Sequence, residues 1–154
     1  MRPDRFHEFA ESALAAAPEV TDVQRWDGRR FGLTVTFTSG SRVWIGITGV
    51  LNPGAKHRDA DVPVTGEVPT PVPWPTLYDD QQATTPEHVT DYLAAAIVNS
   101  GNHEIREAHA YGEASRHPGF GAVFHNEART FCLITHTARA GQGLGPEYRL
   151  QSRF

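Results

Sequence analysis

Seven prolines follow Leu51 up to and including Pro86, four of them in the alternating run VPTPVPWP at residues 68–75. Proline has no amide hydrogen and a locked φ, so this segment is barred from helix interiors and central strands and reads as an extended, polyproline-like loop. Regular structure is thereby confined to two stretches, residues 3–50 and 85–137, joined by a loop at 51–84. Connections of that length are uncommon inside a compact domain unless they are functional or disordered. Trp74, Leu77 and Tyr78 lie in this one, and each gains by being laid on a surface.

The first stretch opens with an amphipathic helix. Asp4 is the expected cap, Phe6, Phe9, Ala10, Ala13, Leu14 and Ala17 recur at helical spacing, and Pro18 ends it. A strand follows from Val20 to Trp26, with either Val23 or the pair Val20 and Trp26 facing inward. The next apolar residues alternate on both sides of Thr38-Ser39-Gly40. A three-residue loop there places Val35 opposite Val43, Leu33 opposite Ile45 and Phe31 opposite Ile47; a two-residue loop would scatter them over both faces. Trp44 then falls on the other face with Thr34, Thr36 and Thr48. The proline-rich loop is the expected cover for that face.

In the second stretch Thr85 caps a helix with Pro86 at its first position. Val89, Tyr92, Leu93, Ala96 and Ile97 form its apolar stripe, and Gly101 stops it. Residues 103–111 fit a helix through Ile105, Ala108 and Tyr111 or a strand through Ile105, Glu107, His109 and Tyr111; strand is preferred because a helix has just been terminated. GFGAVFHNEARTFCLITH, residues 119–136, then reads as a hairpin turning at Asn126–Arg129, with Phe120, Ala122 and Phe124 facing Thr135, Leu133 and Phe131. EYRLQSRF, residues 147–154, reads as a short terminal strand. The expected architecture is α+β, an antiparallel sheet or sheets packed by two amphipathic helices in the order αβββ, long loop, αβββ. It forms one globular domain whose two halves share an element order, with FGLTV at 31 and FGAVF at 120 falling at the matching strand.

Composition narrows the function classes. A net charge of -4 and a pI near 6.0 give no attraction to phosphate backbones, so nucleic acid is not an expected partner. Element order is similar to that of double-stranded RNA-binding domains, whose second helix begins with lysines; here it begins TPEHVTDYLAA, without a basic residue. Cys132 is the only cysteine, which excludes an intramolecular disulfide framework. No segment approaches the apolar length of a membrane span, and the charged N-terminal turns do not read as a signal peptide. A cytoplasmic protein with no membrane partner is expected.

No motif names a reaction. HEIREAH has Glu107 where a zincin needs its second histidine, and GQGLGPEY lacks the lysine of a phosphate loop. HRDAD sets His57, Asp59 and Asp61 at alternate positions, a conceivable oxygen-rich cation site. In the hairpin above, His125 and His136 are roughly 20 Å apart and cannot share a metal. His125 and Cys132 are diagonal neighbours within reach of a dyad, although nothing there lowers a thiol pKa.

The expectation is therefore a protein-interaction or self-associating module, with no cofactor, no metal and no identifiable catalytic residue. Trp44, Trp74 and Tyr78 are the candidate partner-binding residues, and a homodimer is possible. The same order of elements resembles, in topology, small secretion-chaperone-like folds that dimerise and bind extended clients. The alternative is an enzyme or a small-ligand or metal binder with a pocket under the 51–84 loop, using His57, Asp59, Asp61, His125 and Cys132.

Overall fold

The computed structural model describes residues 1–112 and 114–154. Among these, helices α1 (Pro3–Ala15) and α2 (Pro86–Asn99) pack on one face of a six-stranded antiparallel sheet. The strands are β1 (Val20–Trp26), β2 (Gly32–Phe37), β3 (Arg42–Val50), β4 (Ile105–Ala110), β5 (Gly119–Phe124) and β6 (Arg129–Ala138). Their spatial order is β1-β2-β3-β6-β5-β4, so each half supplies three strands and the halves join along β3 and β6. This is the expected α+β order.

Alternation decides which side chains reach the helices. Leu33, Val35, Phe37, Val43, Ile45 and Ile47 line the inner face of the first half, and Phe120, Ala122, Phe124, Cys132 and Ile134 that of the second. Phe6 of α1 meets Phe124 edge-on at 5.9 Å, so one hydrophobic cluster runs through both halves. Tyr92 of α2 accepts the Glu19 N–H on its buried hydroxyl at 2.8 Å.

The first hairpin has the expected register, with Gly40 at φ +84 in its three-residue loop. The second is built in the same way, and here the expected register was wrong. Phe120 faces Cys132 and Ala122 faces Thr130, three residues away from the alignment read from the sequence. The loop is shorter than expected because Phe124 N–H bonds the Ala128 carbonyl at 3.0 Å, as Phe37 N–H bonds Ser41 at 2.9 Å. Asn126 Oδ1 accepts the Ala128 N–H, and Glu127 takes the left-handed position, φ 68, that Gly40 holds in the first hairpin. A three-residue slip reverses faces. Cys132 consequently turns inward and Phe131 outward. Glycine at 127 should relieve the left-handed strain, and Glu127→Gly is expected to stabilise the fold by about 0.5–1 kcal/mol in denaturant unfolding.

Other local expectations differ in smaller ways. The α1 cap is Arg2 rather than Asp4, with Pro3 preset at the first helical position and no side-chain cap. A bulge between Val20 and Asp22 in β1 lets both Val20 and Val23 touch the core, while Trp26 turns to the outer face. Residues 103–111 contain strand β4, not helix. Residues 147–154 form no regular strand, although single bonds tie them to β6.

Residues 51–84 form neither helix nor strand, and they cross the helical layer instead of the outer face. Arg2 ties the start of this strap by donating to the carbonyls of Lys56, His57 and Asp59. Gly66 N–H bonds the His103 carbonyl, Asn99 of α2 holds Val72 through both its N–H and its carbonyl, and Trp74 lies on Tyr92 at 5.1 Å. Leu77 is buried beyond it. Apolar side chains at 74 and 77 drive the strap onto the helices because that is where uncovered apolar surface from α1 and α2 lies.

Candidate functional site

The middle of the sheet's outer face is covered by other parts of the chain, while Asp22 and Gln24 of β1 stay exposed. Trp26, His136 and Trp44 stand edge-on in a row, with centroids 5.3 and 6.1 Å apart, and the Arg42 guanidinium lies 5.2 Å over the Trp44 ring. Thr135 Oγ1 donates to the Trp44 carbonyl and pairs with His136 Nδ1 at 2.9 Å. Burial, with Arg29 nearby, holds His136 below its ordinary pKa. Tyr111 lies over Gly121, where any side chain would collide with its hydroxyl, and burial raises its pKa. The 139–154 tail completes the cover: Tyr148 stacks on His117 at 4.4 Å and Glu147 pairs with Arg29.

One stretch of the sheet lacks a neighbour. β2 pairs with β3 only as far as Gly32–Gly46, with one further bond from Ile47 N–H to the Phe31 carbonyl at 3.0 Å. β3 continues to Val50 against β6, so Thr48, Gly49 and Val50 are paired on one side and exposed on the other. Because Ile47 points its amide toward β2, alternation aims the Gly49 amide and carbonyl at the open side. Val50 is 58% exposed.

Two adjoining clefts, of about 460 and 800 Å³, follow this edge. Residues 46–49 line the first and 49–52 the second, so the groove tracks seven consecutive backbone positions. Its opposite wall is Arg30, Phe31 and Pro3, shared by both clefts. Arg29, Leu133 and Tyr148 close the first from the outer face. Nothing in the hydrophobic pattern exposed this site, since it arises from the difference in length between β2 and β3. The apolar alternation of β3 ends at Ile47, which still faces Phe31, and Thr48-Gly49-Val50 beyond it carries no mark of an open edge.

The residues singled out from the sequence are dispersed. Trp44 is buried on the outer face, whereas Trp74, 41% exposed, lies on the helices at the opposite side. Tyr78 bonds Thr38 and Ser39 at the β2–β3 hairpin. The expected joint surface of Trp44, Trp74 and Tyr78 therefore does not form, because the strap follows the helices.

The alternative set is likewise not one pocket. Asp59 accepts the Lys56 N–H of its own turn at 2.7 Å, and His57 is held only through its carbonyl. Asp61 receives Arg2 N–H and Arg5 Nη1, both at 2.9 Å, and Arg5 also pairs with Glu104. Burial alone would raise the Asp61 carboxyl, but these donors hold it below its ordinary value. His125 Nε2 meets the Glu67 carbonyl at 3.0 Å. Cys132 is fully buried among apolar side chains, which pushes its thiol pKa up, away from reactivity. Among the described residues no three His, Cys, Asp or Glu side chains converge as metal ligands, and no helix is long and apolar enough to cross a membrane.

Compared with known proteins, the chain matches no family model, no curated protein and no solved structure.

Proposed function

We propose that the protein is an interaction module that takes an extended segment of another protein into the groove along β3. The observation that carries this reading is the run of residues 46–52 lining adjoining clefts beside an unpaired strand edge. An open edge is a template for one more strand, with backbone hydrogen bonds supplying affinity and flanking pockets choosing side chains. The edge is recessed behind Arg30, Phe31 and Pro3, which favours a single strand over the edge of a second sheet.

The chain itself contains a parallel case. β5 leaves β6 at Gly119–Leu133 with one further bond, Ile134 N–H to Pro118, matching the way β2 leaves β3. Beyond that point the tail fills the vacant side of β6: Tyr148 N–H bonds the Thr135 carbonyl at 2.7 Å and Gln151 N–H bonds Thr137 Oγ1 at 2.8 Å. The tail, which turns at Glu147 and Tyr148, is thus already held by single bonds at the corresponding place in the other half.

The test is amide-resolved NMR titration with extended hexapeptides carrying valine at alternate positions. Amide shifts concentrated at Ile47–Val50, lost when the peptide backbone is N-methylated, are expected. Binding indifferent to N-methylation, or shifts centred elsewhere, would overturn the proposal.

A further inference from the structure

Resting on that reading, we infer that the groove selects acidic extended segments, with a carboxylate of the bound strand pairing with Arg30. The two clefts are lined by Arg2, Arg29 and Arg30 against a single carboxylate, Asp4, and of the three arginines Arg29 is already paired with Glu147. Arg30 is exposed, its guanidinium rests 5.2 Å from the Phe31 ring, and no carboxylate of the described residues pairs with it. Arg2 spends its guanidinium hydrogens on the backbone carbonyls of the strap, so Arg30 is the cation of this wall that is left to meet a ligand. Arg30 therefore lines the same clefts as Gly49, whose amide and carbonyl face the open side.

The tail illustrates the same chemistry. Its Glu147, one residue before the Tyr148 amide that bonds β6, pairs with Arg29 from the groove wall. A strand laid on β3 can present its carboxylate to Arg30 in the corresponding way. Guanidinium and carboxylate meet through parallel N–H donors, so the contact adds direction as well as charge. Phe31 and Pro3 remain as apolar surface for the alternate side chains.

Fluorescein-labelled hexapeptides alternating valine with glutamate, serine or lysine distinguish the outcomes by fluorescence anisotropy. The glutamate probe is expected to bind about tenfold tighter than the serine probe and to weaken as salt is raised, with the lysine probe weakest. Arg30→Glu, a change at an exposed side chain, is expected to invert the order of the glutamate and lysine probes. Equal affinity for all three probes, with protection of the Gly49 amide, would overturn the acidic preference and leave the strand-binding reading standing. Binding of none would overturn both. A dimer that itself protects the Gly49 amide and excludes every probe would place a second copy in the groove and also overturn the inference.

Discussion

Trp44→Ala is expected to lower the unfolding free energy by about 3 kcal/mol while leaving the groove along β3 able to take a peptide. The ring is 6% exposed, lies edge-on to His136 and carries the Arg42 guanidinium on its face. Its removal leaves a cavity between His136 and Arg42 that the sheet backbone beneath cannot fill by collapse. Denaturant titration measures the loss, and peptide titration of the variant at low temperature measures the groove separately. A loss below about 1 kcal/mol, or a stable variant that no longer binds, would show that Trp44 acts as a contact residue and not as packing. Were Trp44 the partner-binding residue that the sequence suggested, the same change would weaken association with the fold intact, so the two readings predict opposite results.

Phe124→Ala is expected to cost about 4 kcal/mol and to do so in a single transition. Phe124 is fully buried, meets Phe6 of α1, and starts the turn between β5 and β6. Its ring therefore belongs to both halves. If the halves share one core, tryptophan fluorescence, dominated by Trp26 and Trp44 on the sheet and Trp74 on the helices, should report the same midpoint as far-ultraviolet circular dichroism. Separate midpoints would mean that the halves are independent units and that the β3–β6 junction is a weak seam.

How far the sequence could be read depended on how local the information was. The α2 boundaries follow from Thr85, Pro86 and Gly101, and the first hairpin from Gly40 with the Val35–Val43 and Leu33–Ile45 pairs; each device acts within a few residues. The second hairpin slipped because Glu127, not glycine, holds its left-handed position, so the loop gave no compositional sign of its length. FGAVF is apolar throughout, and such a run accepts either register. HRDAD looked like a cation site for a related reason. Its carboxylates are visible in the sequence, while Arg2 and Arg5, which occupy Asp61, are more than fifty residues away.

By itself, then, the sequence determined the helices, the first hairpin, the confinement of regular structure to two stretches and the α+β class, because periodicity and turn chemistry are short-range. Tertiary structure alone decided that the proline-rich segment follows the helices, that Trp44 and Trp74 lie on opposite sides, and that β3 outruns β2 to leave one side of Thr48–Val50 open. Those outcomes depend on where uncovered apolar surface and unpaired backbone remain once all six strands are in place, and no window along the chain contains that sum.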